Sequence, residues 1–172
     1  MITVAEAKNL ISSHIIPLAP VQLNLEQACG HILAKDVYAS CDIPAFRQSS
    51  MDGYALKFAD HENELQLIGE MAAGTSDSFV LNGGETSRIF TGAPLPEGAD
   101  TVVMQEKISL RNGKITLQDK NLQQGSNVRN QGAEIKAGEL AMAKGSLLSP
   151  AAIGFLAGIG STVLDVYPMP KI

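Results

Sequence analysis

A glycine falls every six to seven residues through "GSNVRNQGAEIKAGELAMAKGSLLSP", residues 125–150, and that spacing leaves no room for a long helix or a long strand. A glycine inside a regular element costs about 0.5–1 kcal/mol relative to alanine, so glycines at this interval mark turns. The short apolar pairs between them predict several very short strands wrapping a compact β core. With 45% apolar and 18% charged residues in 172, the chain has ordinary globular composition and suits one domain or two small ones.

Helical signals flank this region. At the start, Thr3 and Glu6 form a capping box, and Val4, Ala7, Leu10, Ile11 and Ile15 recur at helical spacing until Pro17 and Pro20. "NLEQACG" predicts a short helix capped at Asn24 and closed by Gly30. Ser149-Pro150 predicts a third helix over "AAIGFLAGIG", with "TVLDVYPMPKI" leaving it as a strand. "HILAKDVYAS" reads as extended.

The middle of the chain is β-rich. "LQLIGEMAAG" opens with strand alternation, "RIF" leads into a loop and "TVVMQE" is a strand. Asn112-Gly113 between "KISL" and "KITL" predicts a hairpin. Polar joins predict a helix over 1–20, a discontinuous β-rich domain from 21–43 plus 125–172, and an inserted lobe over 44–124. The chain stops without a cap or polar tail, which predicts a truncated piece of a longer protein.

The formal charge of −5 and four scattered arginines (Arg47, Arg88, Arg111, Arg129) give no attraction for polyphosphate, so a nucleic-acid partner is not expected. Cys29 and Cys41 lack metal or disulfide spacing and read as reduced thiols. The N-terminus lacks signal-peptide character, and no apolar run reaches the roughly 18 residues of a membrane span. A cytoplasmic protein without a membrane partner is expected.

No G-x-S-x-G elbow, P-loop, dinucleotide fingerprint or H-E-x-x-H is present, and His14, His31 and His61 stand apart from any nucleophile. Two loops hold candidate chemistry. In "SSMDGYA", Asp52-Gly53 is either ordinary turn chemistry or a carboxylate held in a defined place. In "FTGAPLPEGAD", Thr91 is either a turn cap or a hydroxyl presented at a strand end, beside a loop stiffened by Pro94 and Pro96. Arg129 and Glu134 are either a local ion pair or one wall of an anion site.

"SSMDGYA", "RIFTGAPLPEGADTVVMQE", "NVRNQGAEIKAGE" and "LSPAAIGFLAGIG" occur in the order and spacing of the N-terminal half of the MoeA family, the molybdopterin molybdenumtransferases. The same module opens the E domain of gephyrin. The resemblance covers nearly the whole chain. It implies an α+β, β-rich fold: a compact short-stranded β unit with flanking helices, carrying an inserted α/β lobe.

The resemblance also implies an activity, the insertion of molybdate into adenylylated molybdopterin with Mg²⁺-dependent release of AMP. Family members are homodimers whose cleft lies between the inserted lobe of one subunit and an α/β domain of the other. Asp52 and Thr91 would be the catalytic residues, with Asp52 ordering Mg²⁺ or water at the adenylate phosphate and Thr91 donating to an oxyanion. Ser50 and Arg129 would bind substrate, and a molybdopterin-adenylylating protein is an implied partner. The C-terminal α/β domain that carries the pterin contacts in the family would follow Ile172, so the isolated piece is expected to be inactive. Two departures stand out. Ala133-Glu134 replaces the family's acid pair, and Arg47-Gln48 replaces the acid-amide pair before the key turn. A second reading is a non-catalytic scaffold or dimerisation module that binds a protein partner.

Overall fold

The computed structural model describes residues 2–75 and 79–170. Along the chain come α1 (Val4–His14), β1 (Val21–Asn24), β2 (Ile32–Leu33), β3 (Val37–Tyr38), β4 (Gln48–Ser49) and β5 (Gly53–Leu56). Then follow β6 (Leu65–Met71), β7 (Glu85–Ile89), β8 (Thr101–Met104), β9 (Ile108–Arg111), β10 (Lys114–Leu117) and β11 (Val128–Arg129). β12 (Leu140–Met142), α2 (Pro150–Gly158) and β13 (Val163–Tyr167) complete the order. Gly125, Gly132, Gly138 and Gly145 take φ of 83°, 66°, 84° and 88°, so the evenly spaced glycines are turn residues as their spacing predicts.

The chain divides into two compact units, Met1–Cys41 with Ala137–Ile172, and Asp42–Lys136. In the first, β1, β13 and β2 form a three-stranded antiparallel sheet, with Val166 opposite both Val21 and Leu33. β12 pairs with β3. Leu33, Leu148, Leu156, Ile159 and Val166 are buried there. α2 starts as its sequence predicts, with Pro150 at the first turn and the Ser149 hydroxyl accepting from the Ala152 amide. The predicted helix after Asn24 is a single 3-10 turn, Leu25–Gln27, and the Asn24 side chain makes no cap bond. The α1 capping box forms in full, yet α1 ends at His14, short of the predicted 20, and buries no residue. Lys171 and Ile172, which close the "TVLDVYPMPKI" segment, lie outside the described residues.

The second unit is built on a six-stranded mixed sheet in the order β8-β5-β7-β6-β10-β9. β6 and β7 run parallel with a register shift between Leu67 and Gly69, and the other neighbours are antiparallel. Successive side chains of β5 point to opposite faces. Ala55 therefore joins a core with Met71, Ile89, Ala93 and Val102, while Leu56 joins another with Leu65, Val103 and Leu122. Each fully buried Leu or Val in these clusters stabilises by roughly 1.5–3 kcal/mol, so β5 is held from both sides. The Asn112-Gly113 hairpin joins β9 to β10, with φ of 51° and 76° at its two central residues.

The expectation of an α/β lobe is corrected here. Among the described residues this unit holds no α-helix, only the 3-10 turns Phe58–Asp60 and Gln105–Lys107. Its sequence offers alternating strand patterns and Gly/Pro-rich loops, with no run long enough to lay an apolar helical stripe on the sheet. No helix among the described residues is long and apolar enough to cross a membrane.

Candidate functional site

The two motif loops meet within the second unit, at the end of the sheet where β5 begins. β4 brings the chain to Ser49, which is buried; its hydroxyl donates to the Met51 carbonyl at 2.6 Å and accepts from the Met51 amide at 3.3 Å. That local bonding bends the backbone tightly before Asp52. The Thr91 loop is laced to the same segment by its main chain. Ser49 N–H donates to Ala93 O at 3.0 Å, Gly92 N–H donates to Ser49 O at 2.9 Å, and Leu95 N–H donates to Arg47 O at 2.9 Å.

Gly53 follows Asp52 for a reason the turn reading misses. It is not among the residues with positive φ. A Cβ built on it would lie 2.0 Å from the Val103 carbonyl oxygen, so the close approach of β8 excludes any side chain. The glycine belongs to the sheet, and the carboxylate before it is set at the end of an interior strand.

Asp52 Oδ1 accepts two hydrogen bonds, from the Thr91 amide at 2.8 Å and from the Thr91 hydroxyl at 2.8 Å. The amide first and the hydroxyl second hold the Asp52 carboxyl below its ordinary value, and the Arg88 guanidinium acts in the same direction. An ionised carboxylate only accepts, so the Thr91 proton is committed to Asp52. The Asp52 carbonyl in turn accepts from Gln105 N–H at 3.2 Å. Arg88 on β7 donates from Nη1 to Gly53 O at 2.9 Å and from Nη2 to Gln105 Oε1.

Sequence reasoning singled out Asp52, Thr91, Ser50 and Arg129; the structure joins the first two directly. Ser50 is in the same turn, its amide donating to Asn127 O at 3.0 Å. Arg129 lies on β11 opposite Gln48, and its Nη1 pairs with Glu134 Oε1 at 3.1 Å on the surface. Arg88 and Gln105 were not singled out. The one local signal for Arg88 is the strand alternation in "RIF", which puts Arg88 on the face of Phe90 next to Thr91.

The donor set gives Mg²⁺ a limited fit. No cluster of three or more His, Cys, Asp or Glu suited to a metal occurs among the described residues. Mg²⁺ characteristically keeps several waters and takes one or two carboxylates plus substrate phosphates. Exposed Asp52, with both recorded hydrogen bonds on Oδ1, suits the part of a single carboxylate in such a site.

Residues 2–160 match the family described as MoeA N-terminal region (domain I and II). The chain belongs to this family. Curated relatives of this MoeA-family chain include the molybdopterin molybdenumtransferase of Staphylococcus epidermidis, 33% identical over 178 residues covering 99% of the chain and 42% of the relative. The Haemophilus influenzae protein of the same name is 31% identical, over all of the chain and 43% of the relative. A crystal structure of the molybdopterin biosynthesis MoeA protein of Pyrococcus horikoshii superposes with a TM-score of 0.87 at 30% identity, covering 96% of this chain and 46% of that one. A second structure of a MoeA protein from Pyrococcus gives 0.82 over 99% of this chain. The chain therefore has the MoeA fold and spans less than half the length of the relatives it matches.

Proposed function

We propose that the chain contributes one side of the active site of a molybdopterin molybdenumtransferase, which inserts molybdate into adenylylated molybdopterin and releases AMP. The names of its relatives support the molybdopterin chemistry. The observation that carries the site is the double hydrogen bond from Thr91 to Asp52 Oδ1, which joins two motifs 39 positions apart into one unit.

In this reading Asp52 is the catalytic carboxylate. As an aspartate it is ionised at neutral pH, and its lone pairs not engaged by Thr91 accept from a water poised at the adenylate phosphate. Thr91 orients it. Because the Thr91 proton is already given to Asp52, Thr91 acts on the reaction through the carboxylate, which replaces the oxyanion-donor role expected from the resemblance. Mg²⁺, when bound, would neutralise charge on the phosphate oxygens. Ser50 would approach the substrate from the same turn, and Arg129, whose Nη1 bonds Glu134, would offer its other guanidinium donors to an anionic group. The site would be completed by the α/β domain of a second subunit in a cytoplasmic homodimer, with a molybdopterin-adenylylating protein supplying the substrate.

Asp52→Asn in the full-length protein tests this. Molybdenum insertion is expected to fall by about 100-fold or more, the contribution typical of a positioned acid–base group. Near-normal insertion would overturn the assignment.

The scaffold or dimerisation reading draws on one observation. α1 buries no residue, and Val4, Leu10 and Ile11 are exposed on it. A second copy of the chain would cover them, and sedimentation of the protein with and without residues 2–15 distinguishes the case: a mass unchanged by the deletion removes this reading.

A further inference from the structure

Arg88 makes an unusual set of contacts for an arginine on a sheet face, where a solvated side chain is the ordinary outcome. Its guanidinium lies 5.2 Å from the Tyr54 ring centroid and 4.8 Å from that of Phe90, two aromatic faces that hold the planar group in place. Tyr54 is its direct cross-strand partner on β5, and Phe90 is two residues on along its own chain. Fixed there, the fork reaches two acceptors. Nη1 bonds the carbonyl of Gly53, the residue after Asp52, and Nη2 bonds the side-chain oxygen of Gln105, whose main-chain N–H donates to the Asp52 carbonyl at 3.2 Å.

One prong ends on the backbone just after Asp52, and the other on the side chain of the residue whose main-chain amide holds the Asp52 carbonyl. We propose that Arg88 is a positioning residue: directly at the Gly53 carbonyl, and through Gln105 at the Asp52 carbonyl, it clamps the main chain that leaves Asp52, so that the carboxylate stays where Thr91 can grip it. The proposal rests on the reading of Asp52 as the reactive carboxylate. Lysine cannot replace arginine in this role, because one ammonium on a flexible stem does not present two fixed, divergent donors. The charge contributes as well, since the guanidinium favours the ionised form of Asp52.

The test avoids turnover, so that it stands or falls separately from the transferase assignment. Exchange of the Thr91 and Gln105 main-chain amides is followed in the protein and in Arg88→Gln, Arg88→Lys and Gln105→Ala variants. Arg88→Gln is expected to speed Gln105 amide exchange about tenfold. Arg88→Lys, which keeps the charge, should lose the same protection, which a role of charge alone would not produce. A folded Arg88→Gln protein with wild-type exchange rates would overturn the clamp. Should Arg88→Gln fail to fold, Gln105→Ala decides: exchange of residue 105 faster by about threefold supports the clamp, and an unchanged rate overturns it. Loss of insertion in Asp52→Asn alongside a negative result here would remove Arg88 and leave Asp52 in place.

Discussion

Replacing Gly53 with alanine would put a methyl group 2.0 Å from the Val103 carbonyl oxygen, at the first residue of a strand whose following residues are packed on both faces. β5 and β8 would have to part, and we expect a loss of about 3 kcal/mol or more, read as a fall in the denaturant midpoint. A wild-type midpoint would show that the strands give way cheaply. The local sequence explains Gly53 as half of an Asp-Gly turn, because close approach by a strand 50 residues on leaves no mark beside it. Asp100 is a second such residue. Burial pushes its carboxyl up, but hydrogen bonds from the Phe58 amide, the Thr101 hydroxyl and the Gln124 side-chain amide outweigh this and hold it low. Asp52 and Asp119 are lowered as well. Below the ordinary aspartate value near 3.9 the unfolded chain takes up protons before the folded one. The stability these groups contribute is therefore complete above that value and is lost as pH falls through their folded-state pKa values. Thermal midpoints measured from pH 7 to pH 3 should drop at the acid end. Asp100→Asn should cost about 1–2 kcal/mol at pH 7 and make the acid drop shallower; an unchanged acid slope would contradict the account.

At the level of elements, legibility follows the range of the interactions. The α1 capping box, the Ser149-Pro150 start of α2 and the Asn112-Gly113 hairpin are settled by contacts within a few residues, and all three form as their sequences predict. The order β8-β5-β7-β6 and the parallel pairing of β6 with β7 depend on which strand meets which, and no local pattern states that. The absence of an α-helix from the second unit's described residues is the same lesson: the resemblance implied an α/β lobe, whereas the residues of 42–136 show strand alternation. α1 gives a test at this scale. Because it buries no residue, Thr3→Ala should lower helix content measured by circular dichroism, by removing a cap worth about 1 kcal/mol, without moving the midpoint of global unfolding. A lowered global midpoint would mean that α1 is part of the cooperative core.

For the whole molecule, the chain supplies the MoeA N-terminal region and spans 42–46% of the relatives and structures it matches. The pairing of Asp52 with Thr91 was legible only as two loops of unusual composition that the resemblance assigned to one cleft. What joins them is the backbone lacing of 47–49 to 92–95, together with the sheet that fixes β5. The central claim is that these two side chains work as one catalytic unit, and a double-mutant cycle on molybdenum insertion tests it most directly. Residues acting as a unit are strongly non-additive. In the full-length protein, Asp52→Asn and Thr91→Val should each reduce insertion, and the double variant should be no worse than Asp52→Asn alone. Independent, multiplying losses, or a Thr91→Val variant with full activity, would contradict the account.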